Sequence, residues 1–279
     1  MSPSVPRIAA SRAWRLARAR VRGCAIVLTY HRIGSTADDP HRLTVDPVHF
    51  EEQMRVLAAG YTTLTATQLA RAMTGAAKLP RRAVVVTFDD GYAETHATAE
   101  RVMGELGLRA TSFLCSASID SDQEYPWDAG ILEAPLTPDA ISPAPSAARP
   151  NLRVLSSIEA RHLQSAGVIE FGAHTRTHPR LSNLDADSQR DEILGGKSEL
   201  EHILGGKVST FAYPHGGSED FDSHSRELAS EAGFDAAFTT APGIVVPWAD
   251  RFTIPRYHTE DIPGDAFKSL LDRWFDAAR

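Results

Sequence analysis

The sequence predicts an α/β fold, a single domain in which parallel strands and helices alternate around a closed barrel, and three observations carry that expectation. Seven short apolar runs are separated by segments of helical periodicity, the pattern of repeated β/α units. Residues with chemical character stand just beyond strands 1, 2, 4, 5 and 7, and closure of the sheet is what lets so many strand ends converge. No glycine-rich phosphate loop follows any strand, which sets aside a nucleotide cofactor.

Ahead of the first strand, residues 1–23 carry Arg7, Arg12, Arg15, Arg18, Arg20 and Arg22 before the first acidic residue, Asp38. All of these except Arg20 share one face at helical spacing, opposite Ala10, Ala13, Trp14, Ala17 and Val21. The segment lacks the continuous apolar core of a secretory signal. It is expected to dock on the domain or stay partly disordered. A face made mostly of alanine would give only weak contact with a membrane surface.

The domain proper is expected at residues 24–279. Cys24 to Tyr30 (CAIVLTY) reads as the first buried strand and delivers His31. Asp46 as N-cap and Pro47 at the first helical position open a helix carrying Phe50, Met54 and Leu57, ended at Gly60. Thr65 and Gln68 form a capping box for a second helix with Leu69 and Met73. Ala83 to Phe88 is the second strand, and a helix from about Tyr92 to Leu106 follows it. Ala110 to Cys115 is the third strand. The rhythm then breaks from about 116 to 153, a long insertion containing Pro126, Pro135, Pro138, Pro143, Pro145 and Pro150. Tyr125 and Trp127 within it are candidates for an aromatic wall.

Ser156 and Glu159 make another capping box, and that helix closes at Gly167. Val168 to Ala173 is the fourth strand, ahead of His174. A helix over Asp185 to Leu204 is weakened at Gly195-Gly196. Val208 to Ala212 is the fifth strand, followed by a helix from Phe221 to Ala232. Asp235 to Thr239 and Phe252 to Ile254 supply the sixth and seventh strands, and a last helix carries Phe267, Leu270, Leu271 and Trp274.

A hydrophobic fraction of 42% suits a globular core, and a formal charge of −7 argues against a nucleic-acid partner. No apolar run reaches the length of a membrane span. With no secretory signal, the expected compartment is the cytoplasm. Cys24 and Cys115 read as reduced thiols in or beside strands. His41, His49, His96, His162, His202 and His224 fall on loops or helices and are expected to be solvated, while His215 and Trp248 are candidates either for a substrate wall or for a plain cavity rim.

Thr87-Phe88-Asp89-Asp90-Gly91 places two adjacent carboxylates at a strand end, and in a dry site both ionise only beside a cation. His174-Thr175-Arg176-Thr177-His178 offers two imidazoles four residues apart. Either signal alone is weak. Together they supply one carboxylate and two imidazoles, a three-ligand set with room for water, as catalytic zinc uses, and a spare carboxylate to act as base.

TFDDG, HTRTH and FAYPHGG resemble, in order, the first three motifs of the polysaccharide deacetylases, the NodB-homology or carbohydrate esterase 4 group. LTYHRIG resembles the start of the branch that includes the poly-N-acetylglucosamine deacetylases. The resemblance implies a distorted (β/α)7 barrel and metal-dependent N-deacetylation of an N-acetylated sugar, oligosaccharide or glycan precursor. It implies a divalent metal on Asp90, His174 and His178, zinc foremost, with cobalt, nickel or manganese as alternatives. It implies Asp89 as general base, the backbone N–H of Tyr213 as an oxyanion donor, and His31, or failing that His258, as the acid that protonates the departing amine. Many members have Arg where Ala212 stands, so Arg256 is the candidate replacement cation for Asp89. Tyr92, Trp127 and His215 are candidate substrate contacts. Two other readings stay open: a hydrolase of a small non-sugar amide on the same fold, and a carbohydrate-binding relative with impaired catalysis.

Overall fold

The computed structural model describes residues 23–128, 132–133, 149 and 152–277. The basic segment predicted at 1–23 therefore lies, except for Gly23, outside the described residues, as does most of the Pro-rich stretch.

Eight strands, β1 (Ala25–Tyr30), β2 (Thr62–Leu64), β3 (Ala83–Asp89), β4 (Ala110–Leu114), β5 (Ile169–Ala173), β6 (Thr210–Ala212), β7 (Ala236–Phe238) and β8 (Tyr257–His258), form one parallel sheet. Its order is β7-β6-β5-β4-β3-β1-β8, with β2 beside the first half of β3. The helices are α1 (Pro47–Gly60), α2 (Ala66–Met73), α3 (Ala93–Glu105), α4 (Ser157–Ala166), α5 (Ala186–Arg190), α6 (Gly196–Leu204), α7 (Ser223–Glu231) and α8 (Gly264–Ala277). The sheet curls into a half-barrel, a distorted (β/α)7 barrel. A parallel bridge joins Phe238 to Ile254, and three residues later β8 pairs with β1 through Leu28↔Tyr257 and Thr29↔His258. The seventh strand predicted at Phe252 to Ile254 is thus a single bridge, and the paired strand is Tyr257–His258. Pro255 explains the break, since it has no N–H to give to a ladder.

β1 and β3 are buried along their whole length, which is why they read as unbroken apolar runs. Alternation still sorts their side chains. Ile26, Leu28, Val84 and Val86 join the cluster containing Phe50 and Met54 of α1, under the helices. Ala25, Val27, Ala83 and Val85 join Phe113, Phe238 and Ile254 inside the barrel. Continuing the period of two along β3 carries Thr87 and Asp89 on the inner face, and along β1 it carries Thr29 and His31. Strand parity alone therefore aims both Asp89 and His31 at the barrel mouth.

The predicted caps form. Asp46 accepts from Val48 N at 2.8 Å, and Thr65 and Ser156 each complete a reciprocal box. The helix expected over Asp185 to Leu204 is α5, a π-helical turn at Asp191–Gly195, and α6. A Cβ on Gly196 would lie 2.8 Å from the backbone N of Arg176, so glycine lets α6 rest directly on the 174–178 loop. Gly196 of the pair that weakens the helix thus lets it pack against the site.

His96, expected in solvent, is fully buried. Its Nδ1 lies 2.6 Å from the Tyr92 carbonyl and its Nε2 2.7 Å from Ser112 Oγ, a satisfied neutral imidazole between α3 and β4. Cys115 is buried, Cys24 half-buried, and neither forms a disulfide. Among the described residues no helix is long and apolar enough to cross a membrane.

Candidate metal and catalytic centre

The ends of β1, with His31 just beyond it, and of β3, β5 and β6 build the site. β3 ends on Asp89, and Asp90 (φ 69°) and Gly91 (φ 79°) turn the chain away in left-handed conformations. A Cβ on Gly91 would come within 2.6 Å of Leu114, so the turn requires glycine. The loop after β5 brings His174, Thr175 (φ 65°) and His178 (φ 64°), and the loop after β6 brings His215 (φ 58°). Such backbone costs about 1 kcal/mol or more at each non-glycine residue, and it persists where the surroundings over-determine it.

Asp90, His174 and His178 converge so that one ligand atom from each lies within 4.8 Å of the others. Asp90 Oδ1 is 3.8 Å from His174 Nε2 and 3.5 Å from His178 Nε2. Tetrahedral ligands about 2.1 Å from a zinc ion stand about 3.4 Å apart, so the two Asp90 distances are close to that spacing and the set as a whole, within 4.8 Å, fits such an ion with some contraction. Two further observations fit. Asp90 Oδ1 is buried without any hydrogen-bond partner, an orphan acceptor facing two imidazoles. His174 donates from Nδ1 to the Ala212 carbonyl at 2.8 Å, which leaves its Nε2 lone pair facing the carboxylate.

The two aspartates titrate in opposite directions. Burial and the neighbouring Asp89 charge push the Asp90 carboxyl well above its ordinary value. Burial also pushes Asp89 up, but Arg256, helped by His174, outweighs it and holds that carboxyl well below the carboxylate range. Arg256 is 1% exposed and grips Asp89 with both arms, at 2.8 Å to Oδ1 and 2.8 Å to Oδ2. Its Nε donates to the Thr239 carbonyl at 2.9 Å, and its guanidinium lies 5.5 Å from the Phe113 ring centre. The cation foreseen at the end of the last strand therefore sits against Asp89. Ala212 is buried beside His174, where its carbonyl is the working group.

His31 Nε2 lies 3.9 Å from Asp89 Oδ2. Burial lowers its pKa to about 3, partly opposed by the Asp89 charge, so its resting form is neutral. Burial likewise lowers His174, and it lowers His178 further with help from His174, so both present lone pairs. His258 is exposed, stands 5.9 Å from His31 ring to ring, and gives its Nε2–H to the Arg42 carbonyl at 2.8 Å.

Two predicted contacts fall elsewhere. The N–H of Tyr213 donates to the Phe238 carbonyl at 3.0 Å as part of the sheet edge, so it is not free to hold an oxyanion. The Tyr213 ring is buried and stacks on Phe221. Tyr92 is also fully buried and is not among the residues lining the cavity over Asp89 and Asp90, its hydroxyl donating to Asp128 Oδ2 at 2.8 Å. Trp127 and His215 do line the cavity, with their rings 4.5 and 4.9 Å from that of His178. Trp248 is not among the lining residues.

The cavity measures about 460 Å³, with His31, Asp89, Asp90, His174, His178 and Arg256 on its floor. A second cavity of about 450 Å³ adjoins it, sharing His41 and His258. His41, assigned to solvent from its loop position, is indeed exposed, yet it borders both spaces. Sequence reasoning missed Arg32 and Asp128, a buried pair joined by a hydrogen bond from Arg32 Nη1 to Asp128 Oδ1. The available signal was that each directly follows a residue singled out for chemistry, His31 and Trp127.

A model of the family described as Polysaccharide deacetylase matches residues 76–237. The chain is 24% identical over 248 residues to the putative polysaccharide deacetylase YxkH of Bacillus subtilis, covering 88% of this chain and 75% of that one. It is 21% identical over 270 residues to a poly-beta-1,6-N-acetyl-D-glucosamine N-deacetylase of Staphylococcus aureus, covering 90% and 82%. The structure of the deacetylase PplD from Streptococcus pyogenes, in complex with acetate, matches with a TM-score of 0.70 at 19% identity over 90% of this chain and 98% of that one. IcaB from Ammonifex degensii matches at 0.67 and 19%, over 91% and 97%. At these identities the structural likeness establishes the shared fold.

Proposed function

The chain belongs to the polysaccharide deacetylase family, and from that premise we propose that it is a metal-dependent N-deacetylase acting on the acetamide of an N-acetylated sugar or glycan. The observation that carries the reading is the opposite treatment of two neighbouring carboxylates. Asp89 is held ionised by Arg256, while Asp90 turns an unpartnered oxygen toward two neutral imidazoles. Environments that push paired groups apart assign them different roles.

Asp90, His174 and His178 would hold the metal, and one carboxylate with two imidazoles is a donor set suited to zinc. When bound, the ion supplies Lewis-acid polarisation of the acetamide carbonyl and acidifies the attacking water. Asp89 accepts the proton that the water gives up. A carboxylate gripped on both oxygens by arginine holds that proton weakly, and His31 stands 3.9 Å away to receive it. His31 then protonates the amine nitrogen as its bond to the acetyl carbon breaks, since an unprotonated amide nitrogen leaves poorly. Because burial keeps His31 neutral at rest, it charges during the reaction and not before. His258 has Nε2 committed to a carbonyl, which favours His31. With Tyr213 engaged, the backbone N–H of His215, which has no acceptor among the described residues and lies in a turn bordering the cavity, is the proposed oxyanion donor. Trp127 offers its ring to a sugar face. The adjoining cavity favours a chain of more than one sugar over a small cyclic amide.

The test is acetate release from a panel of N-acetylated monosaccharides, oligosaccharides and small amides. Release should occur with the sugars, stop on chelation and return with zinc. The purified protein should bind about one divalent ion per chain, and His174→Ala and His178→Ala should lose it. Full activity after chelation, or unchanged metal content in both variants, would overturn the reading. A second experiment separates the histidines. His31→Ala should cut amide hydrolysis by ~10²–10⁴-fold and spare an activated acetyl ester, whose leaving group needs little protonation. His258→Ala should cause a smaller loss, equal for both substrates. Equal amide and ester losses in His31→Ala would remove it from the acid role.

A further inference from the structure

Among the described residues, the insertion after β4 touches the site through the turn Tyr125-Pro126-Trp127-Asp128, and the bonds holding that turn have no part in the chemistry above. Tyr125 and Trp127 stack with ring centres 4.4 Å apart and planes 10° apart. Trp127 faces the His178 ring, and the Tyr125 hydroxyl donates to the Asp90 carbonyl at 2.9 Å. Two stacked rings can slide over one another at little cost, so stacking alone does not fix where Trp127 presents its face.

Polar bonds fix it. Trp127 Nε1–H donates to the Tyr92 hydroxyl at 3.2 Å, and that hydroxyl donates to Asp128 Oδ2 at 2.8 Å. Asp128 Oδ1 accepts from Arg32 Nη1. Arg32 is tied in turn to Thr44 Oγ1 at 3.0 Å and Asp39 Oδ1 at 3.0 Å. Asp128 and Tyr92 are fully buried, and Arg32 is 4% exposed. A buried ion pair of this kind is a poor source of net stability, because desolvating both charges offsets most of their attraction. What it does supply is a single geometry.

Arg32 follows His31 in sequence. Adjacent residues of extended chain point to opposite sides, so the segment just beyond β1 turns His31 to the cavity floor and Arg32, in a two-residue strand paired with Thr44 and Val45, to the insertion. We propose that Arg32, Asp128 and Tyr92 are positioning residues for substrate binding. Their buried network holds the Trp127 wall in register with the floor and thereby sets the affinity for a sugar ring. The inference rests on the deacetylase reading and deepens it by naming what makes the sugar wall.

The test compares Asp128→Ala and Tyr92→Phe with the wild type. Tyr92→Phe removes only the hydroxyl shared by Trp127 and Asp128, and it decides the matter if Asp128→Ala does not fold. The KM for an N-acetylated oligosaccharide should rise, by up to ~10²-fold in Asp128→Ala, as for a misplaced positioning contact. A small activated acetyl ester, too short to reach the wall, should lose far less, and metal content should not change. The emission of Trp127, isolated by subtracting the spectrum of a matching Trp127→Phe protein, should shift to the red in both variants and become easier to quench. Unchanged KM in a folded variant, equal losses for sugar and ester, or an unmoved Trp127 emission would overturn the proposal. If the wild type releases no acetate from any sugar, the deacetylase reading fails, and the fluorescence comparison still decides whether the network holds the wall.

Discussion

Asp89→Asn should keep its divalent ion and lose at least ~10²–10⁴-fold in amide hydrolysis, the range typical of a general acid–base residue. The substitution preserves shape and removes the group that accepts the water's proton. It also changes the grip of Arg256. Two bonds of 2.8 Å run from the guanidinium to the two carboxylate oxygens, and the NH₂ of an asparagine would turn a donor toward a donor at one of them. The variant should therefore be somewhat less stable as well as inactive, and elemental analysis beside acetate release separates the two effects. Asp90→Asn is the contrast. Its orphan oxygen faces both imidazoles, so it should lose metal along with activity. Near-normal turnover by Asp89→Asn, with inactive but metal-loaded Asp90→Asn, would show that the two carboxylates have exchanged roles.

Arg256→Ala should have the largest effect on stability and should also move the pH profile. Removing one partner of a buried pair leaves the other charge uncompensated and costs about 3–5 kcal/mol. Asp89 is 2% exposed, so water does not replace the lost guanidinium without rearrangement. The sign of the pH effect follows from the two opposing influences on Asp89. Burial raises its pKa and Arg256 lowers it, with Arg256 and His174 together prevailing in the intact site. With the cation gone, burial is less opposed and the pKa rises, so the acidic limb of kcat/KM should move to higher pH. Arg256→Lys should recover only part of both effects, because one ammonium does not reproduce a two-armed grip. Denaturant unfolding and a pH–rate profile are the measurements. An acidic limb that stays in place would show that Arg256 does not tune the base, and unchanged stability would show that the pair is not what holds this strand end.

Much of the fold was legible because it is written in local chemistry. The capping boxes at Thr65 and Ser156 and the N-cap at Asp46 form as their sequences require, each involving residues within one helical turn. The strands shifted by a residue or two at their ends, and the one misplaced strand lies beside Pro255, where a missing N–H moved the pairing onto Tyr257–His258. His96 was misread for a different reason. Helical position did not reveal that Ser112, on the next strand, would stand across from its ring. Tyr213 was misassigned because its N–H is claimed by Phe238, a partner on a neighbouring strand that no motif records.

The sequence by itself determined which candidate catalytic and metal-binding groups this protein carries. Two carboxylates at a strand end and two histidines four residues apart lie within short stretches, and strand parity decides from local pattern that Asp89 and His31 face inward. Tertiary structure alone decided which carboxylate is held against a cation and where the Trp127 ring stands over the cavity. Arg256 reaches Asp89 from 167 positions away, and Arg32 reaches Asp128 from 96. The physical reason is that charges interact through space at a strength set by burial. Neither the distance nor the burial is a property of any segment until closure of the barrel brings the first and last strands together.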